Sequence, residues 1–302
     1  MFVGREAELA KLESLYDQCS FQMAVVYGRR RVGKTTLINE FCRGKRTLSF
    51  TALEQSDADN LADFNRAIAS FFNLPTSLGG FSSWTDALSF VADRARTERF
   101  VFVFDEFPYA AMRNEALPSI FQVAIDRAFK ETSAFLILCG SNQGFMESNV
   151  LGRKSPLFGR RTAQIKVRDL GFRDAAKMLP GLSAQDAFKF YGCFGGVPYY
   201  LQQLDSSVGL KENLARLYFD PMGFLYGEPE GLIRQEFREP AVYNSILRAV
   251  AAGANRAKQI ADRAGVAQTT LPRYLRALES VGIIEKAVPF GENIETSKRG
   301  IY

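Results

Sequence analysis

Residues 28–35 read Gly-Arg-Arg-Arg-Val-Gly-Lys-Thr, an instance of the pattern GxxxxGK[ST]. Nothing else in the chain restricts its fold so strongly. The glycines let the backbone curl until its N–H groups point inward at a phosphate. Such a curl needs a strand leading in and a helix leading out, the helix adding the positive end of its dipole. Residues 21–28 (FQMAVVYG) read as a buried strand ending in a glycine turn, and residues 34–43 (KTTLINEFCR) as the helix. Gly28, Arg29, Arg30, Arg31, Val32 and Gly33 are thus the expected cradle for ATP or ADP, with Thr36 completing the contact set. Lys34 supplies a point charge for the β- and γ-phosphates, and Thr35 offers a hydroxyl to Mg²⁺. The three loop arginines read equally well as solvated or as nucleotide contacts.

A second cluster of candidates sits at strand ends. Asp105 and Glu106 close the apolar run FVFVF. A carboxylate beside the cradle can hold Mg²⁺ through water, so Asp105 joins Thr35 as a metal residue. Glu106 is placed to polarise an attacking water, which distinguishes hydrolysis from simple holding. Ser141-Asn142 ends AFLILCGSN, and Asn142 is a candidate hydrogen-bonder to the γ-phosphate or the water. Arg160, in SPLFGRRT, is a candidate arginine for the γ-phosphate, an arrangement worth about 10³–10⁵ in rate.

Composition narrows the alternatives. The chain has 302 residues and no histidine, which excludes a Ser-His-Asp triad, a Cys-His pair and any His-bearing zinc site. Its four cysteines form no CxxC pair, favouring a reducing compartment over a disulfide framework. The start, MFVGREAELAKLE, is charged by position 5, and the strongest apolar runs span five and six residues. A bilayer span needs about 20, so these read as strands and a cytoplasmic protein with no membrane partner is expected. The net charge of +5 permits nucleic-acid contact without demanding it.

Apolar strands alternate with helices as far as residue 168, predicting an α/β core with a parallel sheet covered on both faces. A loop, NLPTSLGGFSS, separates helical runs at 57–73 and 84–98. The pattern then becomes helical, giving a predicted all-α lid and connector over 169–239, with breaks at Pro180-Gly181 and Gly195-Gly196. From Pro240 on, three helices and two short extended runs, IIEKAV and ENIETS, predict a winged helix-turn-helix over 240–302. That segment carries nine basic residues against five acidic ones, Lys298 and Glu295 among them, a surplus of four. In its third helix Leu271, Leu275, Leu278 and Val281 make the apolar face. Thr269, Thr270, Arg273 and Arg276 then point outward, where a recognition helix meets duplex DNA. A solvated face or a protein-docking module is the competing reading.

Together these residues resemble the prokaryotic AAA-type ATPases often called archaeal ATPases, within the STAND class of P-loop switch NTPases. The resemblance rests on FVGREAEL, GRRRVGKTTL, VFVFDEF, CGSN, SPLFGRRT, GCFGGVPYYL and the stretch from LYGEPEG to VGIIEK, nearly the whole chain. It implies a sheet with an additional strand between the P-loop strand and the Asp105 strand. It also implies that Phe2, Val3, Gly4 and Arg5 lie along the adenine and ribose. Pro198 would sense the nucleotide from the lid. Many relatives continue into an endonuclease-like domain, which would begin near ETSKRGIY, so either a truncated chain or a short family member is implied. The resulting expectation is a Mg²⁺-dependent switch ATPase, slow without a partner, an oligomer or a C-terminal effector. A DNA-bound loader resembling origin-recognition ATPases, and a non-hydrolysing nucleotide-binding module, are its alternatives.

Overall fold

Five short runs form strands: β1 (Gln22–Tyr27), β2 (Thr47–Thr51), β3 (Val101–Asp105), β4 (Phe135–Gly140) and β5 (Ala163–Lys166), the first four mostly apolar or β-branched. In this computed structural model they make one sheet, in the order β2-β3-β4-β1-β5. Every pairing is parallel. The structure describes residues 2–75, 80–294, 296–297 and 299–302. The loop expected over 73–83 lies partly outside these, as do Glu295 and Lys298.

β4 lies between β1 and β3, the additional-strand arrangement expected from the sequence. β1 and β4 are buried at every position because helices cover both faces, which explains their unbroken apolar runs. One face packs against helices Asp57–Phe71, Trp84–Ala95, Phe107–Arg113 and Leu117–Arg127 through Phe64, Trp84, Phe102, Phe104 and Phe121. The other packs Val26, Val103 and Ile137 against Leu12, Leu37 and Phe41 of helices Glu6–Tyr16 and Lys34–Cys42. Three helices open on the same Ser-x-x-Asp signal: Ser56, Ser83 and Ser183 each accept from the amide of the aspartate three residues on, at 3.1 Å.

Register sets where chemistry can happen. Tyr27 pairs with Gly140 and Thr51 with Asp105, so β1, β3 and β4 end on one edge of the sheet. Ligands of open α/β sheets bind at that edge, where a crossover reverses direction.

The chain divides into two compact units, meeting between Leu204 and Asp205. The first holds the sheet together with helices Phe172–Lys177, Ala184–Phe194 and Pro198–Leu201, so residues 169–204 of the expected lid and connector share a unit with the strands, while 205–239 fall in the second. The second contains helices Glu228–Glu236, Pro240–Ala251, Ala257–Ala264 and Leu271–Ser280 around Tyr243, Ile246, Ile260, Leu271, Leu275 and Leu278. Its wing is slighter than expected. Among the described residues one antiparallel bridge, Ala287 to Ile301, stands where two paired strands are expected. Between them the Glu292 amide donates to the Pro289 carbonyl at 3.1 Å and the Ser297 amide to the Asn293 carbonyl at 2.9 Å. An isolated hairpin this short has too few cross-strand pairs to hold a ladder. No helix among the described residues is long and apolar enough to cross a membrane.

Candidate nucleotide-binding site

The loop after β1 has the conformation its sequence requires. A Cβ at Gly28 would lie 2.2 Å from the carbonyl oxygen of Val167, so the chain leaving β5 passes where any side chain would sit. Gly33 caps helix Lys34–Cys42 at φ +94°, and Arg31 holds φ +70°, a left-handed conformation uncommon outside glycine. The Lys34 side chain is buried, and its Nζ donates to the carbonyls of Gly28 (2.9 Å) and Arg29 (3.1 Å). The ammonium is thus folded over the mouth of the loop, where a phosphate would arrive.

A cleft of about 350 Å³ opens there, lined by Arg30, Arg31, Gly33, Lys34, Thr35 and Thr36 on the loop side. Glu106, Tyr109, Pro198, Tyr199 and Gln202 form its other walls. A narrower, more apolar recess shares Gly33, Thr36, Pro198 and Gln202 with it and is bounded by Phe2, Val3, Arg5 and Leu170. Charge therefore gathers at one end and hydrocarbon at the other, a polarity suited to a triphosphate and a base.

Glu106 caps helix Phe107–Arg113 at φ +50°, a strained setting of the kind concentrated at functional sites. Its Oε2 accepts from the Ser141 amide (3.0 Å) and the Ser141 hydroxyl (2.8 Å). Asp105 Oδ1 accepts from the Glu106 amide at 2.9 Å. Beneath it Cys139 is buried, and burial and the neighbouring Asp105 carboxylate push its thiol well above the ordinary range, leaving it protonated. Thr35 and Asp105 line one groove beside helix Lys34–Cys42. A hydroxyl and a carboxylate are hard oxygen donors that suit Mg²⁺, which takes few protein ligands and keeps phosphate and water for the rest.

Two expected residues are turned away from the cleft. The Asn142 side chain caps the next helix, its Oδ1 accepting from the Phe145 amide at 2.9 Å, so the group facing Glu106 is its neighbour Ser141. Arg160 forks onto Asp126, its Nε 3.1 Å from both carboxylate oxygens, and donates to the Pro156 carbonyl at 2.7 Å. Hydrogen bonds from Arg160 and Lys130 hold the Asp126 carboxyl down from 3.8 to about 2.

Arg5, expected along the ribose, is buried and donates to the Val32 carbonyl at 2.9 Å and to the Arg168 carbonyl. It braces the loop against the segment after β5 while also lining the apolar recess. Gly4, at φ +67°, leaves no room for a Cβ against the Asp174 side chain.

The loop arginines all have protein partners. Arg29 pairs with Asp169 through Nε (3.0 Å) and Nη2, Arg30 donates to the Tyr109 hydroxyl, and Arg31 lies 5.3 Å from the centre of the Tyr199 ring. Tyr109, Asp169, Tyr199 and Gln202 are site neighbours that the sequence does not single out, and Ser141 is named there only together with Asn142. A signal existed for Tyr109, which lies three residues after Glu106 at the start of a helix.

In the second unit, helix Leu271–Ser280 buries Leu271, Leu275 and Leu278 and leaves Thr269, Thr270, Arg273 and Arg276 exposed, as its periodicity predicts. Arg273 reaches Glu239 at 3.4 Å, and the Thr270 hydroxyl donates to the Ala267 carbonyl at 3.0 Å.

A parallel sheet whose first strand opens into this cradle, with Asp105 and Glu106 ending a strand beside it, defines a P-loop ATPase domain. Residues 2–204 match the ATPase domain found predominantly in Archaea, and the chain belongs to that family. Residues 245–287 match the IclR helix-turn-helix domain. An uncharacterised protein of Methanocaldococcus jannaschii is 33% identical over 304 residues, covering 100% of this chain, which spans 66% of that protein's length. An uncharacterised ATP-binding protein of the same organism is 46% identical over 46 residues, 15% of this chain and 78% of its own. Among solved structures, the Walker-type ATPase of Pyrococcus abyssi superposes with a TM-score of 0.67 at 19% identity, over 100% of this chain and 93% of its own. The Aeropyrum pernix ORC1 protein in complex with DNA gives 0.52 at 17%, over 96% and 87%. At those identities the likeness establishes the fold.

Proposed function

We propose that this chain is a Mg²⁺-dependent switch ATPase of the STAND type, working in the cytoplasm, whose nucleotide state is passed on to its winged-helix unit. The observation that carries the reading is the Glu106 carboxylate, pinned at Oε2 by Ser141 in the wall of the cleft that holds Lys34. With Oε2 occupied, Oε1 is the oxygen left to accept a proton from an attacking water. The loop amides and Lys34 bind the β- and γ-phosphates, and Phe2 and Val3 receive the base. Thr35 and Asp105 would hold Mg²⁺, which would supply charge neutralisation on the phosphates. Pro198, shared by the polar cleft and the apolar recess, is placed to register whether both are filled. The functional division follows as core (1–168), lid and connector (169–239) and winged helix (240–302), with partners or further copies acting on the lid.

Replacing Glu106 by Gln keeps size and hydrogen bonding but removes the base. The variant should bind ATP as the parent does and hydrolyse it at least about 100-fold more slowly, measured as phosphate release. Undiminished release would remove Glu106 from the role.

A second reading, duplex DNA binding, is favoured by one observation: Thr269 and Thr270, leading into helix Leu271–Ser280, and Arg273 and Arg276 on it are exposed, in a segment that matches a helix-turn-helix domain. The DNA-bound relative of similar fold adds to it. Phosphate contacts would dominate, giving affinity with little sequence preference.

A further inference from the structure

From the loop geometry we infer that Arg30 is the residue by which this protein tells a nucleoside triphosphate from a diphosphate, with the Tyr109 hydroxyl as its resting partner. The inference rests on the nucleotide-binding reading above and adds the group that reads the third phosphate.

Three facts converge. Arg30 lines the polar cleft together with Lys34 and Glu106, the end where a γ-phosphate would lie. Its Nη2 donates to the hydroxyl of Tyr109, on the opposite wall of the same cleft. Tyr109 in turn belongs to the helical turn that Glu106 caps, its amide donating to the Glu106 carbonyl at 3.0 Å. The other cations of the loop are held differently: Arg29 by a carboxylate, Lys34 by two loop carbonyls, and Arg31 against the Tyr199 ring. Arg160, the arginine expected at the γ-phosphate, is occupied by Asp126.

A phenolic oxygen is a neutral acceptor. A terminal phosphate offers anionic oxygens, which a guanidinium can meet with two parallel charge-assisted bonds where the phenol takes one. Arg30 therefore exchanges Tyr109 for a γ-phosphate when one is present. A diphosphate, gripped by loop amides and Lys34, gives it no such reason to leave. Release of Tyr109 also removes one tie between the loop and the turn that carries Glu106, so arrival of the third phosphate is passed toward that carboxylate. One loop arginine would thus combine recognition of ATP with readiness to cleave it.

The test is calorimetric titration of the full chain with Mg²⁺ and either ADP or a non-hydrolysable ATP analogue. For Arg30→Ala the analogue should bind about tenfold or more weakly while ADP stays within about twofold, the loss of one charge-assisted contact. Tyr109→Phe, which keeps the ring and removes the hydroxyl, should tighten the analogue by about threefold and leave ADP alone. Should Arg30→Ala prove poorly folded by thermal melting, Arg30→Lys and Tyr109→Phe carry the same comparison. Equal weakening of both ligands would make Arg30 a scaffold of the loop and overturn the inference, as would no effect on either, or a Tyr109→Phe protein with parental affinity for the analogue. If the parent binds neither ligand, the nucleotide reading itself fails, a result distinct from loss of discrimination.

Discussion

Glu106 and Ser141 are joined twice, the amide and the hydroxyl of Ser141 both donating to Glu106 Oε2 at 3.0 and 2.8 Å. The two residues follow β3 and β4, neighbouring parallel strands, so the sheet itself sets their spacing. A carboxylate held this way would lose little freedom on aiming a water, the role proposed for Glu106.

Ser141→Ala should therefore remove one of the two bonds and leave the amide in place. We expect kcat for ATP hydrolysis to fall about three- to tenfold with KM unchanged, the net worth of one ordinary hydrogen bond, since the amide still holds the carboxylate. Steady-state kinetics measures this, and an unchanged kcat would mean the amide alone positions Glu106.

Arg160 gives a prediction in the opposite sense. Its fork onto Asp126 holds that carboxyl at about 2, below its ordinary 3.8. A depressed folded-state pKa contributes stability above the unfolded value and loses it as pH falls through the folded one. Denaturant melts should find Arg160→Ala less stable than the parent by about 1 kcal/mol at pH 6, since a partly exposed pair is screened by solvent. That gap should close between about pH 4 and pH 2, and ATP hydrolysis should stay within about twofold of the parent. A large rate loss with parental stability would return Arg160 to the phosphates.

Much of this was legible in the sequence because it depends on local rules. The glycine-bent loop, the strand ahead of it and the carboxylates ending FVFVF are contiguous patterns, and the structure places them at one sheet edge. The site partners were harder because they join distant segments. Asn142 and Ser141 are adjacent polar residues at one strand end, and only the turn into helix Gln143–Phe145 decides that Asn142 caps and Ser141 faces Glu106. Arg160 reads as a free basic residue until the fold brings Asp126 to it across 34 positions. The wing is less legible because extended residues are necessary for a strand but a partner in register is what makes one, and among the described residues Ala287 pairs with Ile301.

For the second unit, the exposed pair Arg273 and Arg276 predicts salt-dependent binding to duplex DNA. Converting both to Ala should weaken binding about equally across sequences. It should also reduce the slope of log K against log salt by about 2, one counterion-release increment per phosphate contact. Fluorescence anisotropy at several salt concentrations reads this directly; a parent protein with no measurable affinity at low salt would leave the face to a protein partner.

The account turns on Lys34, folded over a loop that binds nucleotide phosphates. Isothermal calorimetry of the parent and of Lys34→Ala with ADP or ATP and Mg²⁺ is the direct measurement. The prediction is saturable heat for the parent and an affinity lower by about 30-fold or more for the variant, the loss of a buried charge-assisted contact. No heat from the parent, or equal affinity in the two proteins, would contradict it.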